Sequence, residues 1–245
     1  MRLDKYLSDM GIGTRSESKK YIKNGRVDIN GMPVLDPAFH VSDSDIVSFD
    51  QTPIVYEEHI YYLMNKPQGV ITATKDNSKK TILDLINPED LRKEIFPVGR
   101  LDKDTEGLLL ITNDGALAHH LLSPKHHVEK TYYAEVSGIM NEEDITAFAA
   151  GLEIDGGDVC LPAKLNILST SSDSGAGQAI SKIEITICEG KYHQIKRMCL
   201  SRGHEVLFLK RLSMGPLKLD DSLAPGLYRP LTNDEKNALQ NCSAK

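Results

Sequence analysis

At 245 residues, the chain is long enough for one medium-sized domain and one small domain, and 40% hydrophobic and 26% charged residues are typical of a globular protein with a proper core. A formal net charge of −6 excludes a broadly basic surface, so any contact with nucleic acid must come from a local basic patch. Apolar runs are too short for a membrane span, and no apolar signal-peptide core is expected.

Cysteine and histidine usage points away from metal and disulfide sites. The four cysteines are scattered without a C-x-x-C pair, so we expect reduced thiols. The eight histidines have no cysteine or carboxylate partners at ligand spacing, so no metal site is expected. We therefore predict a cytoplasmic protein that does not contact a membrane.

The first fifty residues predict two short helices and then short strands. Apolar residues recur at helical spacing from Leu3 to Met10, and Thr14 or Ser16 can cap a second helix that runs to about Lys23. Asn30-Gly31 suits a tight turn between strands. The predicted strands of this segment are residues 27–29, 33–35 and 45–49.

Basic residues dominate these two helices. A basic face would attract a phosphate backbone, although a solvated helix surface explains the same charges. The strings R-L-D-K-Y-L and T-R-S-E-S-K-K-Y-I-K-N-G-R-V-D-I-N-G resemble the S4 RNA-binding domain over nearly its full length. This resemblance implies an S4 domain over residues 1–50 that binds structured RNA by shape and backbone. Its candidate RNA-binding residues are Arg2, Lys5, Arg15, Lys19, Lys20, Lys23 and Arg26.

Residues 51–58 are predicted to form an extended linker between mobile domains, because Pro53 disfavours helix and the stretch offers little core. A second domain is predicted over 59–240, with a flexible tail at 241–245. Its predicted strands lie at 60–64, 70–74, 96–98, 108–112, within 125–136, around 161–167, at 179–188, 207–209 and 214–217. Helices are expected at 81–86, after Asp114, at 141–152, after Gly190 and after Thr232, and residues 169–177 are a polar loop.

A charged loop bounded by Gly99 and Gly107 joins two of these apolar strands. Such a loop can hold a reactive side chain rigidly at a surface, although a solvated connection with ordinary salt bridges has the same pattern. The string G-R-L-D-K-D-T-E-G-L-L resembles the signature loop of the pseudouridine synthases, in the branch that includes the RsuA and RluA families. The resemblance implies that Asp102 is the catalytic nucleophile and that Arg100 contacts the RNA backbone.

Further strings resemble the same family. N-K-P-Q-G-V and L-A-P-G-L-Y-R-P-L-T match it, and S-P-K-H-H-V-E-K-T-Y resembles the RsuA family more closely than its large-subunit relatives. The family's K-x-Y element falls on Lys130 and Tyr132, which implies that the Tyr132 ring stacks on the target base. By strand propensity alone, Tyr132 is simply packed.

The string E-G-K-Y-H-Q-I-K-R-M carries the candidate cation of the site. We expect a helix here with Tyr192, Ile195 and Cys199 on one face. The family element is E-G-x-x-[HR]-Q-[IV]-R-R-M, whose first arginine pairs with the catalytic aspartate. That position is Lys196, a departure, because lysine is a point charge that cannot form a bidentate fork. Arg197 is the alternative partner and a candidate RNA contact, while both are surface charges on composition alone.

The resemblance implies an α+β fold, with a small N-terminal S4 (α-L type) domain and a catalytic domain built on a large mixed, mainly antiparallel sheet flanked by helices. It implies an isomerase that converts a uridine of small-subunit 16S rRNA to pseudouridine as a monomer, bound to rRNA or an assembling small subunit. The reaction exchanges one glycosidic bond for another, so no metal or other cofactor is expected. The same chemistry on 23S rRNA and a non-catalytic RNA-binding ribosome-assembly factor are the alternatives. We expect Asp102 to attack the ribose, with attack on the base as the other route.

Overall fold

The computed structural model describes two units of the chain. The described residues are 1–92, 94–171 and 179–243. The first unit consists of Met1–Ile60 and Ile86–Ile95, and the second of Tyr61–Leu85 and the chain from Phe96 onward. The segment 86–95, which the sequence pattern placed in the second domain, thus clusters with the first unit.

The first unit packs two helices on a four-stranded antiparallel sheet of order β2-β1-β3-β4. Its core consists of apolar side chains with almost no exposure, among them Leu3, Leu7 and Ile22. Thr14, rather than Ser16, caps the second helix, since its hydroxyl accepts from the Glu17 amide and the Glu17 carboxylate accepts from the Thr14 amide. The elements are α1 (Leu3–Asp9), α2 (Arg15–Lys23), β1 (Val27–Ile29), β2 (Met32–Pro33), β3 (Val47–Phe49) and β4 (Thr52–Ile54).

The expected linker over 51–58 is wrong in part, because residues 52–54 form β4 and pair with β3. Asp50 and Gln51 both adopt positive φ, 47° and 67°, which makes the tight turn that returns the chain onto the sheet. Pro53 fits because β4 is an edge strand, where a missing amide donor is tolerated.

The second unit is built on a nine-stranded sheet, with the path β11-β12-β8-β13-β7-β5-β15, on which β14 pairs with β13 and β6 with β7. Every pair is antiparallel except β13 with β7. The strands are β5 (Tyr61–Lys66), β6 (Phe96–Pro97), β7 (Glu106–Thr112), β8 (Lys130–Ser137), β11 (Lys164–Ser171), β12 (Ile180–Ile187), β13 (Val206–Met214), β14 (Leu217–Lys218) and β15 (Tyr228–Pro230). A separate hairpin pairs β9 (Glu153–Ile154) with β10 (Asp158–Val159).

Helices cover this sheet, and the central strand β7 is apolar along its length because it is buried. Leu108 and Leu110 have no exposed surface and pack with Leu121 and Leu239 of two helices. The helices are α3 (Gly115–Leu122), α4 (Glu142–Ala150), α5 (Gln194–Ser201) and α6 (Asn233–Ser243). The α+β class with a large, mainly antiparallel sheet is therefore confirmed.

Several local predictions need correction. Residues 70–74 form no strand but a single bridge from Ile71 to Thr81, and the Thr72 hydroxyl bonds to the backbone of Leu101. The helix expected at 81–86 is a 3-10 turn, Ile82–Leu85. The polar loop expected at 169–177 begins within β11, and its residues 172–177 lie outside the described residues. The expected tail at 241–245 continues α6 to residue 243, while 244–245 lie outside the described residues. In the described part of the chain, no helix has the length and apolarity to cross a membrane.

Candidate active site

The charged loop between β6 and β7 is held by hydrogen bonds on its N-terminal side. The Thr72 hydroxyl donates to the Leu101 carbonyl at 2.8 Å and accepts from the Leu101 amide at 3.1 Å. The Gly69 amide donates to the Lys103 carbonyl at 2.8 Å. The segment after β5 therefore fixes the backbone on both sides of Asp102.

Lys66, the last residue of β5, fixes the same loop through its side chain. It is fully buried, and its Nζ donates to the carbonyls of Pro67, Asp102 and Thr105 at 3.0, 3.0 and 2.9 Å. Burial lowers the pKa of Lys66 to about 8, against the pull of nearby carboxylates. The Lys66 ammonium therefore positions the loop that carries Asp102, because it donates hydrogen bonds to the Asp102 and Thr105 carbonyls.

On its C-terminal side, the loop enters β7 at a close approach to β13. Gly107 has φ +103°, and a Cβ there would lie 2.3 Å from the Arg211 carbonyl oxygen. Arg211 is itself buried, and its Nε donates to the Leu108 carbonyl at 2.7 Å. Only glycine allows the two strands to approach this closely in parallel register.

Asp102 faces two cationic or ionisable groups of the segment around α5. Its Oδ2 lies 3.3 Å from Lys196 Nζ, and its Oδ1 lies 3.4 Å from His193 Nε2. Lys196 also donates to both carboxylate oxygens of Asp104, at 2.7 and 2.8 Å. Asp102 and Lys196 are each about a quarter to a third exposed, at 30% and 25% of their side chains. The carboxylate is thus accessible and paired with a cation that a second carboxylate shares.

The carboxylates of Asp102 and Asp104 stabilise the charged form of Lys196. Burial disfavours the charge on Lys196, but the hydrogen bond to Asp104 and the charges of both aspartates outweigh it, so the pKa of Lys196 lies above its ordinary value. The same hydrogen bond from Lys196 lowers the pKa of Asp104. Near neutral pH, Lys196 is therefore a cation held between carboxylates.

Tyr132 lies on β8, is buried, and lines the same cavity as Asp102 and Lys196. The neighbouring Lys130 is also buried and donates to the Val128 carbonyl at 2.9 Å, and burial lowers the pKa of its amine. The cavity therefore combines an accessible carboxylate, a cation and an aromatic side chain, which are the groups needed for nucleophilic attack on a nucleotide whose base is held against a ring.

The structure separates the two basic candidates on α5. Lys196 meets Asp102, whereas Arg197 donates to Asp155 and Asp158 of the β9–β10 hairpin. Arg197 is therefore not the partner of Asp102, and its guanidinium is engaged within the protein. Arg100 is exposed and lines the cavity, consistent with an RNA contact.

The predicted RNA-binding residues of the first unit fall into three settings. Asp4 is fully buried, and Arg2 donates to its two oxygens at 3.1 and 3.0 Å, which lowers the pKa of Asp4. Arg15 Nε and Lys19 Nζ lie 3.8 and 3.9 Å from the same carboxylate. Three basic side chains therefore surround the Asp4 carboxylate. Lys5 pairs with Asp9 and Arg26 with Asp50, while Lys20 and Lys23 are exposed on α2.

Sequence reasoning missed three residues of the site, namely Lys66, Asp104 and His193. Lys66 and His193 stand in strings that the family resemblance covered, N-K-P and Y-H-Q, but their contacts depend on how distant segments pack. Tyr192, expected on the same helical face as Ile195 and Cys199, precedes the helix and is 74% exposed. In the described residues, no group of three His, Cys, Asp or Glu side chains is arranged to hold a metal ion.

Comparison with known proteins identifies the family. A family model described as RNA pseudouridylate synthase matches residues 60–201, and a model of the S4 domain matches residues 1–47. The chain belongs to the RNA pseudouridylate synthase family. It is therefore an isomerase that acts on RNA, and the resemblance of its motifs to this family is confirmed.

Curated relatives cover nearly the whole chain. An uncharacterized RNA pseudouridine synthase, YtzG, of Bacillus subtilis is 50% identical over 100% of both chains. Ribosomal small subunit pseudouridine synthase A of Haemophilus influenzae is 38% identical over 96% of this chain and 97% of its own length. Ribosomal large subunit pseudouridine synthase B of Bacillus subtilis is 37% identical over 98% of this chain and 95% of its own length.

The fold has a solved counterpart in a crystal structure of a pseudouridylate synthase. It is 37% identical, has a TM-score of 0.66, and the match covers 98% of this chain and 99% of that one. The family member described here thus carries its site residues on a framework that matches a solved synthase over both units.

Proposed function

We propose that this synthase converts a uridine of 16S ribosomal RNA to pseudouridine, with Asp102 as the nucleophile. The observation that carries the proposal is one cavity lined by Asp102, Tyr132 and Lys196, with Lys196 Nζ 3.3 Å from the Asp102 carboxylate. The pair brings a cation beside the carboxylate that carries out the proposed nucleophilic attack.

The proposed reaction starts when the target uridine leaves its stack and its base lies against Tyr132. Asp102 attacks the anomeric carbon of the ribose, the bond from that carbon to N1 breaks, and uracil detaches as an anion. The base turns, its C5 attacks the anomeric carbon, and the ester to Asp102 breaks to regenerate the carboxylate. The proton on C5 passes to solvent and N1 takes up a proton, so atoms and charge balance without oxidation or reduction.

Ribosomal RNA as the substrate is supported by the relatives, which include small-subunit and large-subunit enzymes at 38% and 37% identity. The S4 domain supports a structured RNA substrate. The string S-P-K-H-H-V-E-K-T-Y favours the small subunit over the large one. We also propose that the protein works in the cytoplasm. We propose that it is a monomer, since Asp102, Tyr132 and Lys196 all lie in one unit of one chain.

The test is tritium release from 16S and 23S rRNA labelled at uridine C5, each offered naked and partly assembled with ribosomal proteins. The proposal predicts release from 16S rRNA, equal to one uridine per molecule, and none from 23S rRNA. Release from 23S rRNA alone would assign the protein to the large subunit. Binding of either RNA without any release would overturn the catalytic role and leave a non-catalytic assembly factor.

A further inference from the structure

A parallel pair of rings stands beside the catalytic cavity. The rings of Tyr192 and His193 have centroids 3.8 Å apart and planes 19° from parallel. Tyr192 is 74% exposed, so one face of its ring rests on His193 while the other is open to solvent. A single exposed tyrosine is common, but an exposed ring stacked on a residue of the site is a surface for another planar group.

Hydrogen bonds hold the backbone beneath this pair. The Lys191 amide donates to Gln194 Oε1 at 2.9 Å, and Gln194 Nε2 donates to Glu189 Oε1 at 2.8 Å. Arg197 Nη1 donates to the Tyr192 carbonyl at 3.3 Å. The pair is therefore presented by a fixed turn at the start of α5, which limits the entropy lost when a ligand stacks on it.

His193 connects the pair to the reacting carboxylate. It is the residue before α5, with φ 47°, and its Nε2 lies 3.4 Å from Asp102 Oδ1. His193 lines the cavity with Asp102, and the Tyr192 ring is stacked on the histidine ring. A base in the cavity and a base on Tyr192 would be close enough to belong to neighbouring nucleotides of one strand.

We propose that Tyr192 and His193 form a second base-binding subsite, on which an unpaired base next to the target uridine stacks. This inference rests on the proposed function. Extraction of the target leaves its neighbour without one stacking partner, and the open face of Tyr192 replaces it. Every base has a π-face, so the subsite takes an unpaired nucleobase with little preference among the four.

The experiment first maps the uridine that the wild type modifies in rRNA and then uses a short RNA that spans it, with either the 5′ or the 3′ neighbour intact or replaced by an abasic nucleotide. Loss of one base–ring stack corresponds to about a 5- to 150-fold loss of affinity. We expect Tyr192→Leu to raise KM for the intact RNA at least about five-fold with kcat nearly unchanged, since the stack is present before and during the reaction. Tyr192→Phe, which keeps the ring, restores the wild-type KM.

Combining Tyr192→Leu with the abasic RNA decides whether the Tyr192 ring contacts the neighbouring base. If it does, the abasic RNA weakens binding to the wild type by the same factor as Tyr192→Leu, and the two changes together cost no more than either one. Leu200→Ala is the control, because Leu200 is 66% exposed on the neighbouring helix α5 and lies outside the cavity. Additive effects for both neighbours, or equal losses for Tyr192→Leu and Tyr192→Phe, would overturn the subsite while wild-type turnover still stands. Absence of turnover by the wild type on every rRNA would overturn the proposed function instead, and the affinities of the wild type, Tyr192→Leu and Tyr192→Phe for whole rRNA would still test the base-binding surface.

Discussion

Gly107→Ala tests whether the close approach of β7 to β13 requires glycine at the C-terminal end of the charged loop that carries Asp102. The new Cβ would lie 2.3 Å from the carbonyl oxygen and 2.7 Å from the amide nitrogen of Arg211, and φ is +103°. Both contacts are with backbone, which cannot turn aside as a side chain can. The strained φ costs about 1–2 kcal/mol and the forced separation of packed strands about 1–3 kcal/mol, so we expect a loss of about 2–5 kcal/mol.

The assay is thermal unfolding followed by calorimetry. For a chain of this size, each 1 kcal/mol shifts Tm by about 2–4 °C, so Tm is expected to fall by about 4–20 °C. Gly115→Ala is the matched control, since Gly115 lies in the first turn of α3, where an added Cβ would meet no neighbouring group within 4 Å and alanine favours helix. A Tm for Gly107→Ala equal to that of the control would refute the reasoning.

Three further predictions concern charge. Burial lowers the pKa of Lys66 from 10.5 to about 8, so between these pH values the unfolded chain binds more protons than the folded one. The free energy of unfolding of the wild type should therefore rise with pH relative to that of Lys66→Met, by at most about 1.4 kcal/mol per pH unit. Urea unfolding of both proteins at about pH 7 and about pH 9.5 measures this, and a parallel pH response would contradict it. Asp104→Asn should lower kcat by no more than about five-fold, because an exposed ion pair contributes at most about 1 kcal/mol. Lys196→Met should lower kcat far more. Equal losses of the single-turnover rate for the two variants would contradict this. Lys20→Gln should reduce the slope of log affinity for rRNA against log salt by about one in filter binding, and an unchanged slope would remove Lys20 from the interface.

The family, the fold class and the placing of Asp102 and Tyr132 in the site were accessible from sequence, because long local strings carry them. The loop around Asp102 is one such string, and its flanking strands follow from continuous apolar runs. The choice between Lys196 and Arg197 was not accessible. These neighbours point about 100° apart on a helix, and only the packing of α5 decides which one meets Asp102 and which one meets Asp155.

The elements that sequence reasoning missed depend on backbone conformation or distant contacts. The turn that leads into β4 needs positive φ values at Asp50 and Gln51, and neither residue is a glycine, so the sequence does not indicate the turn. Residues 70–74 have strand-like composition, but Thr72 bonds to Leu101 of the charged loop, 29 residues away in sequence. Lys66 follows the polar Asn65 at the end of β5, and its role depends on the packing of the distant Asp102 loop against it.

The most direct test of Asp102 as the nucleophile is the single-turnover rate at which Asp102→Asn releases tritium from 16S rRNA labelled at uridine C5. The amide keeps the size of the side chain but is a poor nucleophile, and the partly exposed position tolerates the change. We predict a rate at least about 1,000-fold below that of the wild type, with RNA affinity and Tm preserved. A variant that releases tritium within about ten-fold of the wild-type rate would contradict the assignment.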